Sequence, residues 1–137
     1  MNYLLDTDIC VHWLRANAAV HAHVTAVGPH ALAVSIITLA ELRYGASCSA
    51  RPDENHQAID DFTGGLTVLD ITPEIARRFG KIKAFLRATG NLIEDFDLLL
   101  AASALTHSLT LVTNNTSHFQ RIPDLNLQNW TSPPIRV

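Results

Sequence analysis

The sequence has little charge, few cysteines and no long apolar run. Charged residues make up 17 % of the 137 residues, whereas an average soluble protein has about 25 %. Hydrophobic residues make up 47 %, a content that excludes extensive disorder and favours a well-buried core. We therefore expect one globular domain over residues 1–137.

The same scarcities disfavour membrane and exported proteins. The longest nearly uninterrupted apolar stretches, such as residues 31–37, are far shorter than the ~20 residues that a membrane span needs. No basic segment precedes an apolar run at the N-terminus, as an export signal would require. Cys10 and Cys48 are too few and too far apart to predict a disulfide framework or a cysteine metal site. The sequence thus predicts a cytoplasmic protein with reduced thiols and no membrane partner.

Several catalytic motifs are also missing. The seven histidines include no H-E-x-x-H or similar ligand spacing, so most of them are expected to be ordinary surface or helix residues. The chain has no nucleophile elbow, P-loop or Rossmann glycine fingerprint. Serine hydrolases and nucleotide-dependent enzymes are therefore disfavoured.

The net charge of −3 argues against a protein that coats nucleic acid, since such binding requires many basic residues. Half of the basic residues nevertheless fall within one stretch of eleven residues. They are Arg77, Arg78, Lys81, Lys83 and Arg87. This stretch is a candidate surface for nucleic-acid phosphates, although a merely solvated helix face remains the alternative.

Short apolar runs alternate with helical patterns along the whole chain. Strands are predicted at residues 3–5, 31–37, 66–71 and 109–113, with an edge strand at 125–129. Helices are predicted at residues 8–15, 21–27, 38–47, 54–63, 73–88, from Asp95 or Asp97 to 105, and at 117–120. Apolar strands separated by helices are typical of a parallel sheet covered on both faces. The predicted fold class is therefore α/β.

Three helix starts carry recognisable capping signals. Asp8 is suited to cap the first helix, and Thr38 with Glu41 matches a capping box. Thr72 followed by Pro73 supplies a cap and a first-turn proline. Ordinary capping is thus an alternative explanation for Asp8 and Glu41.

Polar side chains follow three of the predicted strands. They are Asp6 and Asp8 after the first strand, Glu41 one helical turn after the second, and Asn114 and Asn115 after the fourth. The carboxyl ends of parallel strands form the ligand-binding edge of an open sheet. Asp95 and Asp97 begin the helix that leads into the fourth strand, and they join this edge only if the preceding segment reaches back across it.

A cluster of carboxylates at this edge requires a cation. Two carboxylates about 4 Å apart repel by roughly 4 kcal/mol at an effective dielectric constant of 20. Oxygen ligands supplemented by water suit Mg²⁺ or Mn²⁺ rather than Zn²⁺. The sequence therefore predicts metal-dependent phosphoryl chemistry, in which a bound ion orients a water and helps to deprotonate it.

Four segments, in order and spacing, resemble the motifs of PIN-domain proteins. They are MNYLLDTDICVHWLR, ITLAELRYG, FDLLLAASAL and LTLVTNNTSHF. The likeness is greatest to VapC-type ribonuclease toxins of bacterial toxin–antitoxin systems and covers residues 2 to about 130. It implies a three-layer α/β/α sandwich, an endoribonuclease that uses Mg²⁺ or Mn²⁺, a homodimer, and a small cognate antitoxin that covers the acidic pocket.

The resemblance also assigns roles by position. Asp6, Glu41 and Asp97 match the three family acids and are the predicted metal ligands. Asp8 matches a position where the family takes Asp or Asn, so its charge is expected to be secondary. Asn115 stands where many members have an acid, and we expect it, with Thr113, to position water in the catalytic site. His118 likewise stands where many VapC-like chains carry an acid before the phenylalanine.

Two other interpretations of the sequence stay open. A strand followed by D-x-D also resembles haloacid-dehalogenase-type phosphatases, in which Asp6 would be the nucleophile and Asp8 the acid/base. That family needs a lysine at the active edge, whereas Lys81 and Lys83 both lie in the basic stretch. The second interpretation, prompted by Asn115, is a PIN-like fold that has lost turnover and acts as a binding module.

Overall fold

A computed structural model describes residues 1–133, which form a parallel sheet with helices on both faces. The strands in this part of the chain are β1 (Tyr3–Leu5), β2 (Leu32–Ser35), β3 (Thr67–Leu69), β4 (Thr110–Val112) and β5 (Leu127–Gln128). The helices in the same range are α1 (Thr7–Leu14), α2 (Ala18–Val27), α3 (Ile36–Ser47), α4 (Pro52–Thr63), α5 (Pro73–Ala88), α6 (Asp95–Thr106) and α7 (Thr116–Phe119), with a 3₁₀ turn at Pro29–Ala31. The last four residues of the predicted domain, 134–137, lie outside the described residues.

The strand order is β3-β2-β1-β4-β5, and each neighbouring pair is parallel. The predicted α/β fold with a parallel sheet is therefore confirmed. The chain moves outward from β1 to β3 and then returns to the other side of β1 with β4, so the strand order reverses between β1 and β4. Leu5 pairs with Val112 across this reversal, and the next residues along the two strands, Asp6 and Thr113, emerge side by side.

The two faces of the sheet carry separate apolar clusters. Leu4 packs with Leu86 and Leu98 of α5 and α6, whereas its neighbour Leu5 packs with Ile9 and Leu42 of α1 and α3. This alternation follows from the two-residue period of a strand. The result is the predicted three-layer sandwich, in which α6 is buried on nearly all sides.

Two predicted helix caps are wrong, and in each case the role falls to the last residue of the preceding strand or to the residue directly after it. Ser35 caps α3, because its hydroxyl accepts a hydrogen bond from the backbone N–H of Ile37 at 3.1 Å. The predicted Thr38–Glu41 capping box is thus absent, and Glu41 is free for another role. Asp6, and not Asp8, caps α1.

The other predicted boundaries shift by a few residues. Residue 31 lies in the 3₁₀ turn and residues 36 and 37 in α3, so β2 is shorter than predicted. The second helix begins at Ala18, because the Asn17 side chain accepts a hydrogen bond from the backbone N–H of Val20 at 3.0 Å. The Thr72 cap is confirmed by the backbone N–H of Ile75, which donates to its hydroxyl at 3.2 Å. Cys10 and Cys48 are both free thiols.

Candidate active site

Asp6 lies at the carboxyl end of β1 and is only 8 % exposed. Both of its carboxylate oxygens are held: Oδ1 accepts from the backbone N–H of Thr7 at 2.7 Å, and Oδ2 accepts from the hydroxyl of Thr113 at 2.9 Å. Burial, and after it the nearby charge of Asp8, raises the pKa of Asp6 from 3.8 to about 7. Burial at the end of β1 therefore disfavours the charged form of this carboxyl.

Asp8 lies in the first turn of α1, beside Asp6. Its Oδ2 accepts a hydrogen bond from the backbone N–H of Asn114 at 2.9 Å, which ties α1 to the end of β4. Its Oδ1 is buried and has no hydrogen-bond partner among the described residues. Burial raises the pKa of Asp8 as well. Asp8 thus lies close enough to raise the pKa of Asp6 and Asp97, while its secondary role in the chemistry stays a prediction.

Asp97 enters the same cluster from the first turn of α6. Its Oδ2 lies 3.2 Å from Nε2 of His118, which is carried by α7. Burial raises the pKa of Asp97, and the opposing effect of His118 is partly offset by the charges of Glu94 and Asp8. Asp97 also contributes to the raised pKa of Asp6. The segment before α6 therefore brings an acid back to the carboxyl edge of the sheet, which is the condition for Asp97 to join the predicted metal site.

The adjacent Asp95 takes a different position, although it lies in the same turn of α6. Its Oδ1 accepts from Nζ of Lys83 on α5 at 2.8 Å, in an exposed ion pair. A helix turns about 100° per residue, so two residues that are two positions apart point about 200° apart. Only one of the two acids can therefore face the cluster. The structure selects Asp97.

Glu41 contacts the acidic edge indirectly, through Thr7. The hydroxyl of Thr7 donates to Glu41 Oε1 at 2.8 Å, and its backbone N–H donates to Asp6. Thr38, one of the buried polar residues, lies 3.4 Å from the same hydroxyl. Glu41 is not among the main causes of the raised pKa of Asp6, Asp8 or Asp97. Sequence reasoning missed Thr7, since a threonine between two acids carries no signal of its own.

Asn115 lies at the rim of the site. It is exposed and begins α7 without a side-chain capping bond, and its backbone N–H donates to the hydroxyl of Thr113 at 3.0 Å. Thr113 thus links Asn115 to Asp6 through one hydroxyl. This contact involves the backbone of Asn115, so the predicted role of its amide in positioning water stays a prediction.

The cluster fits a divalent cation in its chemistry, but its ligands are not fully assembled. Within residues 1–133, no three side chains of Asp, Glu, His or Cys converge closely enough to hold an ion as they are placed. The unpartnered buried oxygen of Asp8 and the raised pKa values of Asp6 and Asp97 nevertheless indicate an uncompensated negative site. Oxygen donors of this kind select hard ions. A bound ion would relieve their repulsion and draw the carboxylates together.

The basic residues of α5 do not form one strip. Arg77, Arg78 and Lys81 line a groove of about 430 Å³ that also includes Leu105 at the far end of α6, about 12 Å along that helix from Asp97. Lys83 is about 200° around α5 from Lys81, and it binds Asp95.

A second groove of about 340 Å³ begins at the acidic edge. Thr7 and Glu41 lie at this edge, and the groove continues between α1, α3 and α4 past apolar residues such as Leu14 and Ile59. No helix in residues 1–133 is both long enough and apolar enough to cross a membrane.

Comparison with known proteins gives a consistent family likeness. The sequence profile described as "PIN domain" matches residues 3–125. Ribonuclease VapC2 of Rickettsia felis is 36 % identical, over 95 % of this chain and 98 % of that protein. The tRNA(fMet)-specific endonuclease VapC of Shigella flexneri is 32 % identical, over 96 % and 99 % of the two chains.

Solved structures give the same likeness in three dimensions. The VapBC2 structure of Rickettsia felis bound to a promoter DNA fragment has a chain that superposes with a TM-score of 0.88 at 35 % identity, covering 95 % of this chain and 99 % of that one. DNA-bound VapBC of Salmonella typhimurium has a chain that superposes with a TM-score of 0.90 at 30 % identity, covering 95 % and 98 %.

Proposed function

We propose, from the premise that this chain belongs to the PIN-domain family and within it to the VapC ribonucleases, that its acidic edge hydrolyses RNA phosphodiester bonds. The chain is the toxin of a toxin–antitoxin pair and acts as a divalent-metal-dependent endoribonuclease. The observation that carries the site proposal is electrostatic: the charges of Asp8 and Asp97 both raise the pKa of Asp6, and the charge of Asp8 also raises the pKa of Asp97. The three carboxylates therefore lie near one another, beside the point where the strand order reverses. We take the ion to be Mg²⁺ or Mn²⁺, because the three acids offer only oxygen donors.

The chain's own residues prepare the site for an ion and a phosphate. When bound, the divalent ion activates a water for attack and neutralises charge on the phosphate. Asp6 and Asp97 are the ligands we propose, with the free Oδ1 of Asp8 available beside them. Thr113 and the backbone of Thr7 fix the orientation of Asp6. Burial of Asp6 reduces the screening of its charge by water, so this carboxylate acts strongly on an ion.

Glu41→Gln separates a chemical role of Glu41 from a structural one. Since Ser35 caps α3, the variant should unfold at nearly the wild-type temperature, while an amide that still accepts from Thr7 removes one negative charge from the edge. We expect RNA cleavage to fall by about 10–100-fold, as for groups that support a metal site. Cleavage rates and thermal melts measure the two effects, with the exposed Glu54→Gln as the control. Wild-type turnover in Glu41→Gln would remove Glu41 from the site.

We also propose that the basic groove on α5 contacts RNA phosphates away from the scissile bond. Three cations line it against two acids, Glu74 and Asp124, so a local positive surface exists on a chain of net charge −3. Lys83 and Arg87 lie on another side of α5, and Lys83 is already paired with Asp95. The groove thus makes Arg77, Arg78 and Lys81 the better candidates, and Lys83 and Arg87 the weaker ones.

The double substitution of Arg77 and Lys81 by Gln tests this role of the groove. We expect KM for RNA to rise several-fold with kcat little changed, because the groove lies far from the acids. The dependence of log(kcat/KM) on log[salt] should flatten by about 0.7–0.9 for each RNA phosphate that the variant no longer neutralises. Arg51→Gln, which removes an exposed arginine whose one ion pair within residues 1–133 is with Glu54, is the control. An unchanged KM and salt slope would exclude the groove as an RNA surface.

The antitoxin partner requires a surface that reaches the acids. The groove that runs from Glu41 between α1, α3 and α4 supports the proposal that an antitoxin segment lies there and places a basic side chain among the carboxylates.

We further propose a homodimer, supported by exposed apolar side chains on and before α6, Leu92 and Phe96. The mass of the purified chain, with and without the product of the adjacent reading frame, tests both assemblies.

The other two interpretations fare differently. Membership of the PIN-domain family replaces the haloacid-dehalogenase interpretation. The silent binding module would be supported if the protein, given Mg²⁺ or Mn²⁺, bound a partner but cut no member of a broad panel of structured RNAs.

A further inference from the structure

His118 is the one histidine that makes a direct polar contact with an acid of the cluster within residues 1–133. Its Nε2 lies 3.2 Å from Asp97 Oδ2. The histidines at 21, 23 and 56 make hydrogen bonds elsewhere. His12 lies one turn after Asp8 on α1, but no hydrogen bond or ion pair joins these two side chains, both of which belong to the described part of the chain.

The backbone at His118 is anchored in the core by the residue that follows it. The residue after it, Phe119, is 1 % exposed and packs in the α5–α6 cluster. The two rings meet edge to face with centroids 5.8 Å apart. The backbone N–H of His118 donates to the carbonyl of Asn115 at 3.2 Å, which closes the single turn of α7. The imidazole is therefore held at the acidic edge.

The separation of the two side chains suits a shared ion. Adjacent ligands in an octahedron with bonds of about 2.1 Å lie roughly 3 Å apart, and Nε2 and Oδ2 are 3.2 Å apart. Both side chains are about three-quarters buried, with 24 % and 26 % exposed. An ion between them would take the place of the hydrogen that they now share, and the Nε2 proton would leave to solvent.

We propose that His118 is a nitrogen ligand of the metal site, which joins Asp97 and Asp6 and biases the site from Mg²⁺ towards first-row transition ions such as Mn²⁺ and Co²⁺. The inference rests on the function proposed above, because it takes the cluster to be that enzyme's metal site. Imidazole binds transition ions much better than it binds Mg²⁺, which strongly prefers oxygen. An acid at this position would give an all-oxygen site, so the histidine is a determinant of metal preference in this chain.

Pulsed electron paramagnetic resonance of the Mn²⁺-loaded full-length protein detects a bound nitrogen directly. The wild type should show nitrogen modulation from a directly coordinated imidazole. His118→Gln should lose this modulation, since the amide reaches Asp97 without supplying a nitrogen ligand. His12→Gln, a histidine near Asp8 that does not contact the acids, should keep it.

Calorimetric titration with Mn²⁺ and with Mg²⁺ provides a second readout. We expect His118→Gln to lower the ratio of Mn²⁺ to Mg²⁺ affinity by about tenfold, and His118→Glu to lower it similarly while strengthening Mg²⁺ binding, because imidazole favours transition ions and a carboxylate favours Mg²⁺. His12→Gln should leave the ratio unchanged.

The proposal is overturned if Mn²⁺-loaded wild type shows no nitrogen modulation, if Mn²⁺ does not bind, or if His118→Gln weakens both ions equally. The last result would make His118 a residue that only orients Asp97. Nitrogen modulation in a protein that cuts no RNA would support the ligand while refuting the ribonuclease site, so the two failures are distinguishable.

Discussion

Asp97→Asn is expected to reduce RNA cleavage by at least about a hundredfold and to abolish toxicity to cells, while the protein stays folded. Removal of a group that only supports a metal ligand already lowers metal affinity or activity by about 10–100-fold. Asp97 is proposed as a ligand itself, so its loss should cost more. The fold should survive because asparagine keeps the size of the side chain and its contact with His118. Single-turnover cleavage of a susceptible RNA, together with circular dichroism, measures both parts.

Asp95→Asn is the matched control. Asp95 lies two residues earlier in the same first turn of α6, carries the same charge, and binds Lys83 in an exposed ion pair instead of facing the cluster. We expect cleavage by this variant to stay within about threefold of wild type, because exposed pairs contribute little. Equal losses in the two variants, or wild-type cleavage by Asp97→Asn, would contradict the assignment of Asp97.

The second large effect concerns stability, and its sign depends on pH. The unfolded chain titrates Asp6 near its ordinary pKa of 3.8, whereas burial and the charge of Asp8 raise the folded-state pKa to about 7. Between these values the folded protein binds more protons than the unfolded chain, so the contribution of Asp6 is complete below about pH 4 and is lost as the pH rises towards 7. Metal-free wild type should therefore lose stability across this range.

Asp6→Asn should reverse this loss. Each pKa unit corresponds to about 1.4 kcal/mol, so without metal at pH 7.5 the variant should be more stable than wild type by up to roughly 4 kcal/mol. The difference should vanish near pH 4. Asparagine caps a helix as well as aspartate does, so the start of α1 is preserved.

Thermal melts in EDTA from pH 4 to pH 8 measure this reversal. Asp70→Asn, an exposed substitution in the loop after β3, should follow the wild-type curve at every pH. Addition of Mn²⁺ at pH 7.5 should stabilise wild type and not Asp6→Asn, since only the former keeps the proposed ligand. An Asp6→Asn variant that is less stable than wild type at pH 7.5 would contradict the burial of an uncompensated charge.

The order of elements and the location of the site could be predicted from sequence because both follow from local patterns. Apolar runs separated by helical periods specify a parallel sheet, and the carboxyl edge of such a sheet then collects the residues after each strand. Asp6 is located by this rule alone. Asp97 needed the family resemblance to be preferred over its neighbour Asp95, because the bond between Asp95 and Lys83 is visible only in three dimensions.

The helix caps and side-chain contacts that sequence patterns do not predict depend on the exact position of single residues. A strand's last residue, or the one directly after it, can also be the cap of the next helix, as Ser35 and Asp6 are. A capping signal two or three residues later in the sequence then indicates the wrong residue. The link from Thr7 to Glu41 joins residues far apart in the chain through one hydroxyl. The contact of His118 with Asp97 likewise depends on where α7 is anchored.

The basic residues of α5 are separated by the helical period itself. Five cations in eleven helical residues cannot share one face, because a helix turns about 100° per residue. Applied to α5, this period already separates Lys81 from Lys83. The sequence could not show that Arg77, Arg78 and Lys81 border a groove, since its other wall comes from α6 and the segment before β5.

Cleavage of a structured-RNA panel by the purified full chain, first in EDTA and then after Mn²⁺ or Mg²⁺ is restored, tests the central claim most directly. If carboxylates at the sheet edge hold the ion that cuts RNA, cleavage should be absent in EDTA and should return with the metal in wild type and in Asp95→Asn, but not in Asp97→Asn. Cleavage that persists in EDTA, or that returns equally in Asp97→Asn, would contradict it.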